Sequence, residues 1–228
     1  MVGFGEGVKI TSLYLQPEHS VAAPLLARFT YPWEVLPEIT EFIRSLGKTL
    51  SEQEYDRVGE DVWIAKTAKV AASASIHGPC IICADAEVRH CAFIRGSAIV
   101  GAGAVVGNST ELKNCILFDG VQVPHYNYVG DSILGYKAHM GAGSITSNVK
   151  SDKTPVEIRY GTERIETGRK KVGAMLGDFV EVGCNSVLNP GTVVGPHSNI
   201  YPLSPVRGYV PENSIYKSRE QIVTKHNG

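Results

Sequence analysis

His125 is the residue of this sequence that is best suited to proton transfer, and Tyr126 and Tyr128 flank it. A histidine titrates near pH ~6.5 unless its surroundings perturb it, so it can accept a proton at neutral pH. A lone histidine is more often a surface residue, and we expect five of the others to be structural or exposed: His19, His90, His139, His197 and His226. The sequence therefore offers one candidate general base.

Three basic residues recur at intervals of 18, namely His77, Arg95 and Lys113. If residues at this spacing lie on adjacent strands, they stack about 4.8 Å apart. Stacked like charges destabilise a sheet, so such a ladder is reasonable where an anion lies across it. A phosphate group, free or on coenzyme A, is the obvious anion. A solvated basic edge is the alternative.

A six-residue repeat explains the spacing of 18. Steps of six from Ile64 to Leu112 meet an aliphatic residue each time, and the residue four positions further on is almost always small. Neither a helix of period 3.6 nor a strand of period 2 sustains this rhythm. A chain that bends every six residues does, because the aliphatic residue fills the interior and the small residue fits the corner. Three hexads then close one coil of a solenoid.

The repeat sets the domain boundaries. It slips by one residue at Leu117 and again at Leu134, is interrupted once, and continues to Val206. We therefore predict an all-β solenoid over residues 64–210 and a C-terminal tail over residues 211–228.

Residues 1–63 do not follow the hexad. Apolar residues at helical spacing between Ile39 and Leu46, followed by Gly47 as a C-cap, predict a helix. The Ser-Glu-Gln-Glu stretch from Ser51 resembles a capping box and predicts a second short helix. Because a solenoid needs its open ends covered, we expect a helical N-terminal cap over the first coil.

The interruption, residues 149–171, predicts a hairpin arm. It carries seven Lys/Arg and four Asp/Glu, a net charge of +3. Alternating residues over 156–160 are followed by a turn at Gly161 and a second short run over 164–166. We expect this arm to project from the column, and long excursions from a compact scaffold are often functional.

Composition excludes several classes of protein. A net charge of −1 argues against nucleic-acid binding, and no apolar run approaches the ~18 residues of a membrane span. The five cysteines and the absence of a signal-peptide pattern predict free thiols in the cytoplasm. Cys80 and Cys83 form a lone CxxC pair without a partner motif, so we interpret them as packing residues and predict no metal.

Several segments resemble the C-terminal domain of bifunctional UDP-N-acetylglucosamine pyrophosphorylase/glucosamine-1-phosphate N-acetyltransferases and related sugar-1-phosphate nucleotidyltransferases. The resemblance covers roughly residues 60–218 and rests on the motifs at 94–96, 107–114, 125–132, 141–148, 183–191 and 201–203. It implies a left-handed parallel β-helix of hexapeptide repeats, whereas the general rule for parallel crossovers predicts the right hand.

The resemblance also implies roles for residues. His125 corresponds to the general base of acetyl transfer, and Asn148 to the residue that orients the base and the substrate amine. Arg95, Lys113 and Tyr128 correspond to residues that hold the sugar phosphate, in agreement with the ladder.

Acetyl-CoA is the cofactor that the resemblance implies. Ala142 and Gly143 correspond to residues along its pantetheine, and Cys184 stands where the bacterial bifunctional enzymes usually carry serine. Lys150 and Lys153 of the arm are candidates for further substrate contacts. The resemblance implies a homotrimer with sites between subunits, so the arm could complete a neighbour's site.

We therefore expect an acetyl-CoA-dependent N-acetyltransferase that acts on an amino-sugar 1-phosphate of the glucosamine-1-phosphate type. The 63 residues before the hexads are too few for a nucleotidyltransferase domain, so we expect no pyrophosphorylase activity.

Two other functions compete. One is a non-catalytic trimeric subunit that binds a sugar phosphate or regulates a nucleotidyltransferase. The other is the metal-dependent carbonic anhydrase built on the same fold, which needs three histidines at a subunit interface. The nearest histidine pairs here, His77/His90 and His125/His139, are 13 and 14 residues apart and do not suit it.

Overall fold

The computed structural model describes residues 5–225. Its α-helices are α1 (Ile10–Leu13), α2 (Ala23–Leu26), α3 (Pro32–Val35) and α4 (Ile39–Gly47), with 3₁₀ turns at Glu6–Val8 and Pro17–His19. The first strands are β1 (Tyr55–Gly59), β2 (Val62–Ala65), β3 (Lys69–Val70), β4 (Ser75–Ile76), β5 (Cys80–Ile82), β6 (Glu87–Val88), β7 (Phe93–Ile94), β8 (Ala98–Val100), β9 (Val105–Asn108), β10 (Glu111–Leu117), β11 (Gln122–His125), β12 (Tyr128–Leu134), β13 (His139–Met140) and β14 (Ile145–Thr146). The remaining strands are β15 (Glu157–Tyr160), β16 (Glu163–Glu166), β17 (Ala174–Leu176), β18 (Glu181–Val182), β19 (Val187–Leu188), β20 (Thr192–Val194), β21 (Asn199–Ile200), β22 (Pro205–Val206), β23 (Tyr209–Val210), β24 (Ser214–Ser218) and β25 (Gln221–Thr224).

Parallel strands stack into three faces of a column. The front face contains β4, β7, the first halves of β10 and β12, β14, β19 and β22; the rear face contains β2, β5, β8, the second halves of β10 and β12, β17, β20 and β23. The side face contains β3, β6, β9, β11, β13, β18, β21 and β24. One coil shows the hexad at work, because Ile82, Val88 and Ile94 come from the three faces and are all buried inside. Each such residue contributes about 1.5–3 kcal/mol.

This architecture confirms the predicted fold class, a left-handed parallel β-helix of hexapeptide repeats. The predicted register slips are shortened corners between the front and rear faces. Three residues separate Ile94 from Ala98, whereas only two separate their strand partners Leu112 and Cys115. The next coil keeps the short corner, and Asp131 lies in it with φ 48°.

The N-terminal helices lie along the rear face, and the prediction that they cover the first coil is wrong. Helix α4 is where the sequence predicted it, but it contacts β5, β8 and β10. Near the other end of the column, the Leu13 carbonyl accepts a hydrogen bond from the Asp178 amide at 3.0 Å. We call residues 5–50 the strap. The first coil remains partly open, with the side chain of Val70 37% exposed.

No helix follows Ser51, contrary to the sequence prediction. The Ser51 side chain accepts a hydrogen bond from the Gln53 amide, as a cap does, but the chain makes one turn and enters strand β1 at Tyr55. Strand β1 then pairs with β2 in antiparallel fashion. Cross-strand pairing therefore overrides the local helix signal.

The arm forms the predicted hairpin, with β15 and β16 paired so that Ile158 faces Ile165. It does not project freely, as the sequence suggested. Val156 and Ile158 are fully buried against the last coils, and the rings of Tyr160 and Tyr209 lie 4.9 Å apart. The apolar alternation of β15 is satisfied by this packing.

The C-terminal boundary also shifts. The first part of the predicted tail is strand β24, which extends the side face, and β25 folds back on it. His226 lies outside the described residues. Within residues 5–225, no helix is long and apolar enough to cross a membrane.

Candidate active site

The corner between the side and front faces, which we call the histidine edge, carries a vertical row of residues. The row consists of His90, Asn108, His125, Ala142 and Cys184, each on the next coil of the column. The order follows from strand pairing, since His125 is the partner of Asn108. The edge therefore places the candidate base one coil from Ala142, about 4.8 Å away.

The backbone of His125 is held firmly while its side chain is exposed. Its amide donates to the Asn127 side-chain oxygen at 3.1 Å. Asn127 is buried and donates in turn to the carbonyl oxygens of Gly141 and Ser144 at 2.9 and 3.0 Å. Within residues 5–225, no hydrogen bond reaches the His125 ring. Both ring nitrogens are thus available to a ligand.

The corner between the front and rear faces, which we call the arginine edge, contains the predicted ladder. The amides of His77 and Arg95 donate to the carbonyl oxygens of the next coil at 2.8 and 2.9 Å, so His77, Arg95 and Lys113 stack as expected. Carboxylates lie between the cations. Arg95 pairs with Glu111 at 2.7 Å, and the Lys113 ammonium lies 3.6 Å from Asp131. The ladder is therefore partly neutralised within the chain, without any bound anion.

Asp131 is the buried centre of a polar network that the sequence did not predict. Its carboxylate accepts hydrogen bonds from the side chains of Asn114 at 2.8 Å and Asn148 at 2.5 Å. Asn148 also donates to the Tyr128 hydroxyl at 3.3 Å. The signal was present, because Asn114, Asp131 and Asn148 are polar residues spaced 17 apart at successive corners.

Tyr128 lies on the front face beside this network. Burial raises the pKa of its hydroxyl, and the nearby carboxylates of Asp131 and Glu111 raise it further. A Cβ atom at Gly130 would lie 2.4 Å from the Tyr128 hydroxyl oxygen, so any larger residue there would displace the phenol from this position. The phenol therefore remains protonated at neutral pH and can donate a hydrogen bond to a ligand.

The two edges do not meet within one chain. The front strand from Asn127 to Gly130 separates them, and three residues of strand span about 10 Å. Asn148 is bonded to Asp131 and Tyr128, on the far side of this strand from His125. The orienting contact from Asn148 to His125 that the resemblance implied is therefore absent from the single chain.

The cofactor candidates form a strip of small residues above His125. Two backbone amides of this strip already have partners, since Gly141 donates to the Val182 carbonyl at 2.7 Å and Gly143 to the His125 carbonyl at 3.0 Å. Ala142 and Gly143 are half-buried and Cys184 is exposed. The strip is therefore partly open to solvent beside His125.

The two lysines of the arm are not directed at the network. The Lys150 ammonium lies 3.4 Å from the Asp152 carboxylate and donates to the Thr154 hydroxyl. Lys153 is exposed, with φ 60°. Their assignment to substrate binding remains a prediction.

Two further thiols and four further histidines have partners or packing within the chain. Cys80 and Cys83 are buried, as expected of packing residues. The rings of His19 and His197 stack on Tyr136 and Phe179. The Nδ1 atom of His139 lies 2.7 Å from the Glu181 carboxylate. The Nδ1 atom of His90 lies 2.6 Å from the Ser73 hydroxyl. Among residues 5–225, no three His, Cys, Asp or Glu side chains are grouped to hold a metal ion.

Fold and edges together define a hexapeptide-repeat protein that carries its ligand-binding candidates on the outside of a β-helix. The chain belongs to the family of the GMPPB C-terminal domain, whose model matches residues 76–204.

Curated relatives confirm the predicted resemblance. The bifunctional sugar-1-phosphate nucleotidylyltransferase/acetyltransferase of Sulfurisphaera tokodaii is 32% identical over 125 residues, 55% of this chain and 31% of that protein. The bifunctional protein GlmU of Methanococcus maripaludis is 31% identical over 198 residues, 86% of this chain and 48% of that protein. The chain thus spans about a third to a half of the length of these relatives. The solved structure of the polySia-specific acetyltransferase NeuO aligns with 75% of this chain and 78% of its own chain, at 14% identity and a TM-score of 0.40.

Proposed function

We propose that the chain is an acetyl-CoA-dependent N-acetyltransferase for an amino-sugar 1-phosphate. The observation that carries the proposal is the His125 side chain, exposed on a rigid backbone beside a strip of small residues and without a partner in residues 5–225. Similarity to a bifunctional sugar-1-phosphate nucleotidylyltransferase/acetyltransferase supports the class of reaction.

In the proposed reaction, a ring nitrogen of His125 accepts a proton from the substrate amine as the amine nitrogen bonds to the thioester carbonyl carbon. The carbon–sulfur bond then breaks, and the thiolate of coenzyme A leaves and takes up the proton. General-base catalysis of this kind contributes ~10²–10⁴-fold to the rate. Ala142, Gly143 and Cys184 would line the pantetheine by shape.

The arginine edge would hold the sugar phosphate. The Arg95–Glu111 pair is exposed, and such pairs contribute only about 0–1 kcal/mol. A phosphate group can therefore replace Glu111 at low cost and gain charge-assisted hydrogen bonds from Arg95 and Lys113. Tyr128 would donate its hydroxyl, and Lys150 or Lys153 could reach the substrate if the loop of the arm rearranged.

A homotrimer would bring the two edges together, and the front face is the surface suited to it. Phe93, Ile145 and Val187 point outward there, whereas the side face presents charged residues such as Glu87 and Glu181 and the strap covers the rear face. When front faces pack, the His125 of one subunit can approach the arginine edge of a neighbour. This arrangement would supply the missing contact between His125 and Asn148.

The tips of the histidine edge support the same interface. Tyr126 and Leu203 are 66% and 76% exposed and have φ of 51° and 60°. A left-handed conformation of this kind costs about 1–3 kcal/mol for a residue other than glycine. Exposed apolar side chains held at such a cost suit burial by a second subunit, which light scattering of the purified protein would detect as a trimer.

A thiol-release assay tests the function. Purified protein is mixed with acetyl-CoA and either glucosamine 1-phosphate or galactosamine 1-phosphate, and free coenzyme A is measured. Release that requires the amino sugar supports the proposal and identifies the epimer. Saturable binding of the sugar phosphate with no release selects the competing function, a non-catalytic subunit of a nucleotidyltransferase.

We also propose that the protein is located in the cytoplasm.

A further inference from the structure

The arm and the last coils enclose a basic cavity, and of its lining residues the acetyl-transfer proposal uses at most Lys150. We call it the arm cavity, and its charged lining residues are Lys150, Glu157, Arg159, Arg164 and Arg207. Four cations thus face one carboxylate. The cavity volume is about 50 Å³. For comparison, a cavity needs only ~10–15 Å³ to hold one water molecule. This room suits a single phosphoryl group rather than a nucleotide or a coenzyme.

The register of the hairpin concentrates positive charge at the cavity. Arg159 lies directly opposite Arg164 on the paired strands, and like charges in this position destabilise an antiparallel pair. Glu157 compensates in part, since its carboxylate accepts a hydrogen bond from Arg164 at 3.1 Å. Within residues 5–225, no carboxylate forms an ion pair with Arg159.

Arg207 brings a further positive charge from the column. Its guanidinium donates to the neutral side-chain oxygen of Asn189 at 3.0 Å, and no carboxylate in the described part of the chain pairs with it. The two backbones are held together, because a Cβ atom at Gly208 would lie 3.1 Å from the Arg159 carbonyl oxygen. The full burial of Ile158 holds the hairpin in this position.

We propose that the arm cavity binds a phosphate-type oxyanion between the guanidinium groups of Arg159, Arg164 and Arg207. Guanidinium groups are planar and donate paired hydrogen bonds that match phosphate oxygens. The anion relieves the repulsion across the hairpin and joins the arm to the column. The site is separate from the ladder, because Lys113 and Arg207 are four coils apart on the arginine edge, about 19 Å. It does not depend on the proposed acetyl transfer.

The test is calorimetric titration of the full chain with inorganic phosphate, with chloride at matched ionic strength as the reference. Removal of one charge-assisted partner by Arg159→Gln should weaken phosphate binding about tenfold. Glu157→Gln should have the opposite effect and tighten binding several-fold, because it removes the competing carboxylate and releases Arg164. Arg89→Gln, on the side face, changes the net charge as Arg159→Gln does and should leave binding unchanged.

Three outcomes would overturn the proposal. The first is an absence of saturable phosphate binding by the wild-type chain. The second is equal weakening by Arg159→Gln and Arg89→Gln, which would show a diffuse charge effect. The third is loss of binding in Arg95→Gln but not in Arg159→Gln, which would assign the phosphate to the ladder.

A parallel titration with glucosamine 1-phosphate separates the two sources of the phosphoryl group. Tighter binding than inorganic phosphate, lost in Arg159→Gln, assigns the arm cavity to a phosphorylated ligand. Binding to the arm cavity no tighter than that of inorganic phosphate assigns it to the free ion.

Discussion

The front and rear faces of the column are built from the same hexads but meet different surroundings. On the rear face, Tyr14 of the strap stacks on Phe118 with ring centroids 5.0 Å apart, and both side chains are buried. On the front face, Phe93 remains 37% exposed beside the edges that carry His125 and Arg95. The repeat therefore decides which residues enter the core, and the non-repeat segments decide which face is left for ligands and subunits.

The largest effect should come from His125→Ala on the histidine edge. If His125 is the general base, kcat for acetyl transfer should fall by ~10²–10⁴ while KM changes little. The measurement is steady-state release of coenzyme A. His90→Ala is the matched control, because His90 occupies the same row two coils earlier, and it should retain full activity. A His125→Ala protein that is as active as the wild type would remove the catalytic role from the histidine edge.

The rear face should respond in the opposite way, with a loss of stability and no loss of chemistry. Tyr14→Ala empties a buried aromatic site, which typically costs about 3–5 kcal/mol. Urea denaturation should show this loss, while kcat of the folded protein stays unchanged. The neighbouring Leu15, 50% exposed, provides the control, and Leu15→Ala should cost no more than about 0.5 kcal/mol. A large fall in kcat for Tyr14→Ala would couple the strap to the active site.

The arginine edge contains one buried carboxylate, Asp131, and one in an exposed ion pair, Glu111. Loss of the two carboxylates should therefore lower the stability by different amounts. Asp131 is buried, and Asp131→Ala leaves the half-buried amides of Asn114 and Asn148 without their acceptor, which should cost about 3 kcal/mol. Glu111→Ala breaks an exposed pair and should cost less than about 1 kcal/mol. Chemical denaturation of both variants decides the matter. Equal costs would show that Asp131 is no more than a surface counter-ion.

The sequence predicts the column well because the hexad is a local rule. The inward aliphatic residues, the one-residue slips, helix α4 and the hairpin of the arm all follow from spacing that can be read along the chain. The stacking of His77, Arg95 and Lys113 follows from the same spacing, since residues 18 apart must lie on adjacent coils.

Placement of the non-repeat segments could not be predicted, because it depends on contacts between residues far apart in sequence. The strap is held by bonds such as that between Leu13 and Asp178, which no local pattern indicates. The arm packs back because Val156 and Ile158 meet the last coils. The network of Asp131 is harder to predict, because its residues recur every 17 positions, whereas the basic ladder at the same edge recurs every 18.

The smallest predicted effect is on the pH dependence of the free energy of unfolding. It should distinguish the buried thiols of the rear face from the exposed thiol of the histidine edge. Burial raises the pKa of the Cys83 and Cys115 thiols to about 12 and that of Cys80 further still. In the unfolded chain these thiols titrate near ~8.5. Between these values the unfolded state loses protons that the folded state keeps, so the free energy of unfolding falls as the pH rises. From about pH 8 to about pH 9.5, each buried thiol should contribute a loss of about 1 kcal/mol.

Urea denaturation at the two pH values measures this loss, and single variants assign it to the thiols. Cys115→Ala lowers the stability at both pH values but should reduce the difference between them by about 1 kcal/mol, because one buried thiol no longer titrates in the unfolded chain. Cys184→Ser on the exposed histidine edge should leave the difference unchanged, since that thiol meets solvent in both states. If Cys184→Ser flattened the pH dependence as much as Cys115→Ala, the Cys184 thiol would be as shielded in the folded protein as the thiols of the rear face, and the contrast between the rear face and the histidine edge would be lost.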